Sequence, residues 1–318
     1  MSFIHHPAFQ SLGLPLLLSL VLTLSLGMRQ TSAGLRWWAM GSAIALLLSF
    51  FLLPGFDWPA TARAQKLPWI VLGGTGLAFV WVLSGATRPN RWMHWAMGSA
   101  LWAIACVWLT ANPEQWAHSL LGALAGAAVL AFLLIKRPLS GATQSAHERT
   151  AAPDDVATID VADAAALTVA ALGLAALAAG GGSLLLAQLA MMLGVVTAVP
   201  GLWAWLRPAA GLAISPAALF PLGLAWLVIA YSLAVPGPSA AGRVLVITLA
   251  FAAPALLKRS AWAARHPRWA PLLTALLAAL PVVVALAWLL LGDAAPSGAD
   301  GSLGDANEDD PYYKPTWE

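Results

Sequence analysis

The chain has 318 residues, of which 60% belong to the apolar set and only 9% carry a charge, and its mean hydropathy is +0.78. Soluble globular domains carry about 25% charged residues, so this composition excludes that class and indicates an integral membrane protein. The basic residues lie between apolar blocks, and 7 of the 14 acidic residues follow Gly292. The net charge of +2 is therefore no nucleic-acid signal, and we expect no nucleic-acid partner.

Ten apolar segments approach the length of about 20 residues that a helix needs to cross a hydrocarbon core about 30 Å thick. Every backbone amide needs an internal partner within that core, which selects α-helices. The sequence therefore predicts an all-α polytopic bundle of about ten spans, the first of them a span rather than a cleaved signal peptide. The segments are 9–28, 37–55, 67–85, 93–110, 118–135, 164–179, 183–206, 217–235, 244–257 and 271–291.

The boundary between the sixth and seventh segments lies in a stretch of more than 40 residues without a charge after Asp163. That stretch is too long for one span and contains Gly180, Gly181, Gly182 and Ser183. We interpret it as two spans joined by a tight glycine turn. If these glycines lie within one long or broken helix instead, the count is nine and the downstream topology inverts.

The predicted spans fall into two halves of five, residues 1–135 and 164–291, on either side of a linker. This linker, residues 136–163, is rich in Ala, Thr, Ser and Asp and lacks apolar periodicity, which predicts a mobile cytoplasmic loop. Because five is an odd number, two halves of five spans would be oppositely oriented in the membrane, as in inverted-repeat transporters. The two halves share no convincing residue-level match. Residues 292–318 form an acidic tail that ends in aromatic residues.

Loop charges predict the orientation, because cytoplasmic loops carry an excess of Lys and Arg. Of the 16 basic residues, 12 fall in loops on one side of the ten-span arrangement and 4 on the other. The 12 are Arg29, Arg36, Arg88, Arg91, Lys136, Arg137, Arg149, Arg207, Lys258, Arg259, Arg265 and Arg268, and the 4 are Arg63, Lys66, Arg243 and Lys314. We therefore predict a protein of the cell inner (plasma) membrane with both termini outside.

Small and polar residues inside the spans predict helix packing. Gly122 and Gly126 form a GxxxG motif, which allows a close approach of a neighbouring helix. We expect packing roles also for Gly73, Gly74, Gly76 and Gln188. The alternatives are that the glycines loosen their helix near a cavity and that Gln188 contacts a substrate. Trp95 and Trp102 lie seven residues apart on one helical face, where they either line a pocket or pack against lipid and protein.

Candidate catalytic and metal-binding groups are sparse. No Asp, Glu, Lys or Arg lies in the middle of a predicted span, which disfavours ion-coupled transport. Cys106 is the only cysteine, so no intrachain disulfide or thiolate cluster is possible. His94 and His118 begin consecutive spans at opposite faces and cannot share one metal ion. The sequence predicts no metal or cofactor.

Two short motifs carry a resemblance. Lys66, Leu67, Pro68 and Trp69 open one span, and Gly182, Ser183, Leu186, Ala187, Gln188, Leu189 and Ala190 open another. These motifs and the hydrophobic layout resemble multi-pass inner-membrane proteins of bacteria of similar length, for which no activity is known. The ten-span count also resembles drug and metabolite exporters with a five-plus-five fold, but those keep both termini in the cytoplasm, opposite to the charge bias.

The tail and the bundle together favour a non-catalytic scaffold, accessory or assembly subunit of a membrane complex. The tail places Tyr312, Tyr313 and Trp317 beside two prolines, and aromatic residues are common interface anchors. A permease for a small or lipid-like solute is the alternative. A membrane-surface transferase is a third hypothesis, since Asp57 and Glu114 lie in external loops, but each carboxylate is single.

Cysteines introduced separately at Ser145 and Ser297 test the predicted orientation. An impermeant thiol reagent applied to intact cells should label the cysteine at Ser297 and leave the cysteine at Ser145 unlabelled, because the charge bias places the linker inside and the tail outside. Labelling with the opposite sidedness would contradict the charge argument and favour the exporter fold.

Overall fold

A computed structural model of the chain describes residues 9–27, 40–83, 91–110, 116–134, 154–207, 216–235 and 237–294. Within these ranges the regular structure is entirely helical, without a strand. The predicted all-α class is therefore confirmed. The predicted linker up to residue 153 and the predicted tail from residue 295 lie outside the described residues.

Twelve α-helices lie within the described residues. A π-helical turn, Phe9–Gly13, leads into α1 (Leu14–Gly27). The others are α2 (Met40–Leu52), α3 (Arg63–Leu83), α4 (Arg91–Leu109), α5 (Trp116–Leu134), α6 (Asp154–Gly180), α7 (Leu184–Leu206), α8 (Pro216–Ala234), α9 (Pro238–Thr248), α10 (Ala253–Lys258), α11 (Ala261–Arg265) and α12 (Ala270–Ala294). Single 3₁₀ turns, Leu249–Ala252 and Pro267–Trp269, precede α10 and α12.

Seven helical segments are long and apolar enough to cross a membrane: Phe9–Leu26, Arg63–Leu83, Trp92–Leu109, Val161–Gly180, Leu184–Leu206, Pro238–Lys258 and Ala270–Gly292. Three shorter apolar helices accompany them: Met40–Leu52, Ser119–Ala131 and Ala218–Ala234. Each of the ten predicted segments overlaps one of these helices. By length and composition, however, the structure supports seven spans.

A glycine turn separates α6 from α7. Helix α6 ends at Gly180, and Gly182 has a φ of +80°, a left-handed conformation that favours glycine. The backbone N–H of Ser183 donates to the Ala178 carbonyl at 2.9 Å and closes the turn. The two helices then pack along each other.

Helix α6 begins earlier than the sequence indicated. Its first residue is Asp154, so residues 154–163 of the predicted linker are helical. The lack of apolar periodicity in this stretch concealed a polar helical extension of an apolar segment.

Several hydroxyl side chains within the helices bond to their own helix. The Oγ atoms of Ser49 and Ser232 donate to the carbonyls of Ala45 and Val228 at 2.7 and 2.8 Å, and Thr75 and Thr274 make equivalent bonds. These bonds satisfy a polar group without water or a second helix. Such side chains are compatible with a hydrocarbon environment.

Helix α8 occupies the centre of the bundle. All its residues from 218 to 232 are buried, and it packs against α2, α3, α5, α6, α7 and α9. A helix that is apolar on every side can face either lipid or other helices. Here the contacts with six neighbouring helices bury it.

Large side chains of α8 occupy gaps that glycines leave on the surrounding helices. A Cβ atom on Gly98 of α4 would lie 2.7 Å from Phe220 Cε2, and one on Gly74 of α3 would lie 2.6 Å from Leu224 Cδ2. In the reverse direction, Leu133 of α5 reaches Gly223 of α8. Small residues at these points allow the helices to approach closely.

Replacing Gly98 by alanine tests this packing. The added methyl group would press on the rigid ring of Phe220, so Gly98→Ala should destabilise the fold by about 1–3 kcal/mol. Gly76→Ala is the matched control, because nothing lies within 4 Å of its Cβ position and alanine favours a helix. Thermal unfolding in detergent should show a lower midpoint for Gly98→Ala alone, and equal midpoints for both variants would contradict the packing.

Candidate functional site

A groove lies between α5, α8 and α9, with one wall completed by Trp102 of α4. Its volume is about 340 Å³, within the range of roughly 300–1,000 Å³ that is typical of ligand pockets. The lining residues contain no carboxylate, histidine or cysteine. They are Trp102, Leu121, Gly122, Ala125, Gly126, Val129, Trp226, Leu227, Ala230, Tyr231, Ala234, Val235, Ala241, Val244, Leu245 and Thr248.

The GxxxG motif of α5 shapes this groove. A Cβ atom on Gly122 would overlap the Tyr231 ring, and one on Gly126 would overlap the Trp102 indole. The two rings meet edge to face with their centroids 6.1 Å apart. The glycines therefore accommodate aromatic rings from α4 and α8, where the sequence suggested only the close approach of another helix.

Both tryptophans on the shared face of α4 are bonded to α5. Trp102 Nε1 donates to the Gly122 carbonyl and Trp95 Nε1 to the Ala127 carbonyl, each at 3.0 Å. Trp102 is buried and Trp95 is half-buried. The sequence offered two interpretations of these tryptophans, pocket lining and packing. Trp102 does both.

The groove opens sideways, towards the surface where lipid would lie. Leu121 and Leu245 form part of its lining and are nevertheless 66% and 57% exposed. Next to them, Leu124 and Leu249 are also more than half exposed. In a bilayer, the two edges of the groove would therefore contact hydrocarbon.

A polar cluster adjoins the groove at the end of the bundle where α3, α5 and α9 begin, which we call the Lys66 end. The hydroxyls of Thr110 and Ser119 are hydrogen-bonded to each other, and Thr110 also donates to the Cys106 carbonyl at 2.6 Å. The Tyr231 hydroxyl lies beside this pair, shielded from solvent, and makes no hydrogen bond of standard geometry to a described residue. Tyr231 thus joins the apolar groove to the polar cluster.

Lys66 is a buried cation. The sequence analysis located it at the start of a span and assigned it no role in the structure. It is 6% exposed, and its Nζ donates to the Trp108 carbonyl at 2.8 Å. Arg63 Nε donates to the Leu109 carbonyl at 3.4 Å. These carbonyls end α4, where helical carbonyls lack partners and the dipole is negative. The two cations therefore cap α4 from α3.

The other predicted packing residues differ in their surroundings. Gly74 lies in tight contact with α8, whereas a Cβ atom on Gly73 would meet Leu101 at an ordinary 3.8 Å and Gly76 faces open space. Gln188 is partly buried on α7, and its side chain bonds to none of the described residues. Tyr312, Tyr313 and Trp317 lie outside the described residues.

Asp57, one of the two carboxylates considered for surface catalysis, is exposed, and no other carboxylate that the structure describes lies beside it. Glu114 lies outside the described residues. Asp57 Oδ2 accepts from Gln65 Nε2 at 3.4 Å. No group of three or more His, Cys, Asp or Glu side chains that could hold a metal occurs among the described residues. Asp163 is the one buried carboxylate among the described residues, and it lies in the N-terminal half of α6.

No family model, curated protein or solved structure matches this chain. The function is therefore argued from the groove and its surroundings.

Proposed function

We propose that the chain is a non-catalytic component of the bacterial inner membrane that crosses the bilayer ten times, with both termini outside. Helices α5 and α8 have 19 residues each, which corresponds to about 28 Å at 1.5 Å per residue. With the seven candidate spans they make nine helices of nearly bilayer length, and α2 supplies a tenth, shorter one. The proposed orientation rests on the loop charges.

We further propose that the groove holds an acyl or isoprenoid chain of a lipid-like molecule. The observation that supports this is a nearly uniform apolar lining that opens laterally between exposed leucines. Water is excluded from the hydrocarbon region, so a lipid chain is the available filling for a groove open to it. Because the lining offers no carboxylate, imidazole or thiol, we propose that its chemistry is that of binding.

A photoreactive phospholipid tests the groove. Full-length protein in vesicles that contain a phospholipid with a photoreactive group along its acyl chain should be labelled on α5, α8 and α9. Ala125→Phe should remove more than half of this labelling, because Ala125 lines the groove and the phenyl ring would occupy it.

Ala128→Phe is the matched control, since Ala128 is exposed on the same helix and outside the groove lining. Its labelling should equal that of the unmodified protein. Labelling that is spread over all lipid-facing helices, or an equal effect of both phenylalanines, would contradict a lipid site in the groove.

A permease for a lipid-like solute is the second candidate, and the order of helix pairing favours it. In the first half, α1 packs against α2 and α4 packs against α5. In the second half, α6 packs against α7 and α9 packs against α12, in the corresponding order. Helices α3 and α8, which occupy equivalent places in the two halves, pack against each other. This pairing supports an inverted repeat as a proposal, although α6 also packs extensively against α12, and the described residues of α1 and α5 make no comparable contact.

Exchange of a fluorescent lipid between leaflets separates the two candidates. Accelerated exchange would favour the permease, and exchange at the protein-free rate would favour the accessory role.

The C-terminal tail supplies the proposed docking element of the accessory role. Deleting residues 309–318 removes Tyr312, Tyr313 and Trp317, and should leave insertion and thermal stability intact while weakening co-purification with a partner in mild detergent. Aromatic anchors and prolines that limit the entropy lost on ordering underlie this expectation. Unchanged co-purification would remove the support that the tail gives to the accessory role.

A further inference from the structure

A basic loop, residues 258–269, joins α10 to α12. It contains Lys258, Arg259, Arg265 and Arg268 and no acidic residue. The three arginines are exposed. The loop is therefore a concentrated patch of positive charge on the described surface.

A fifth cation lies near this loop. Trp205 Nε1 of α7 donates to the Arg268 carbonyl at 2.9 Å, which brings the end of α7 beside the loop. Arg207 is the first residue after α7 and is exposed. Its guanidinium carbon lies 4.6 Å from the centroid of the Trp203 ring. The patch thus combines the basic loop with Arg207.

The basic loop is held at the level of the membrane surface. It connects the ends of two candidate spans, Pro238–Lys258 and Ala270–Gly292, through the short helix α11 and a 3₁₀ turn. Trp262 and Trp269 are 49% and 57% exposed. Exposed indoles beside span ends favour the headgroup layer, and the loop therefore places its arginines at the depth of lipid phosphates.

We propose that the basic loop, together with Arg207, binds the headgroups of anionic phospholipids in the leaflet that it faces. Arginine presents a planar fork of donors that matches phosphate oxygens, and the tryptophans would anchor the same stretch among the glycerol groups. This site is at the opposite end of the bundle from Lys66 in the ten-span arrangement. It is independent of the groove, which has an apolar lining.

Thermal unfolding of the full-length protein in mixed micelles tests the proposal. Phosphatidylglycerol should raise the unfolding midpoint at lower mole fractions than phosphatidylcholine. Replacing Arg259, Arg265 and Arg268 together by glutamine should weaken the apparent affinity for phosphatidylglycerol about 100-fold, since each cation near the surface contributes about five-fold. Raising the salt concentration should diminish the shift.

Charge-conserving and distant variants serve as controls. Replacing the same three arginines by lysine should keep most of the response, and Arg243→Gln, which removes a cation from α9, should not alter it. If the triple glutamine variant does not fold, the three single glutamine variants replace it, each with an expected loss of about five-fold.

Four results would overturn the proposal. The first is an equal response to both phospholipids, and the second is an unaltered response of the glutamine variants. The third is an equal shift with soluble glycerol phosphate, which would indicate a site for free phosphate. A response to an acidic protein but not to phosphatidylglycerol would likewise contradict a lipid site.

Discussion

The rest of the structure depends on one packing constraint: large side chains of α8 pack against glycines of neighbouring helices. Phe220 and Tyr231 fill gaps at Gly98 and Gly122 on two different helices. Lipid tails are as apolar as the side chains, so burial from water cannot drive these contacts, and close packing must. A helix buried over 218–232 therefore fixes the positions of α3, α4 and α5 around it.

The groove is a direct consequence of this arrangement. Where α5 carries glycine, the rings of Trp102 and Tyr231 occupy the gap, and beyond them α9 stands away from α5. The same Tyr231 reaches the polar cluster at the Lys66 end. Two sets of cations lie at the ends of helices: Lys66 at the carbonyl end of α4, where backbone carbonyls receive it, and those of the basic loop, for which headgroups are the proposed partners.

The sequence predicted the helices well because hydropathy and backbone hydrogen bonding are local properties. All ten apolar segments correspond to helices, and the glycines after residue 179 form a turn. Packing partners were not predictable, because every segment is apolar on all sides and no periodicity marks a buried face. Gly73, Gly74 and Gly76 look alike in sequence, yet only Gly74 meets α8 closely. Gly98 was not singled out, since its role depends on Phe220, more than 100 residues away.

A structure of the full-length protein determined in a lipid bilayer tests the central claim most directly, because the groove is a product of how α5, α8 and α9 pack. The expected result is α8 at the centre, with an elongated lipid-chain density along Trp102 and Tyr231 between α5 and α9. A groove closed by direct contact of α9 with α5, or α8 displaced to the lipid-facing surface, would contradict both the packing and the proposed lipid site.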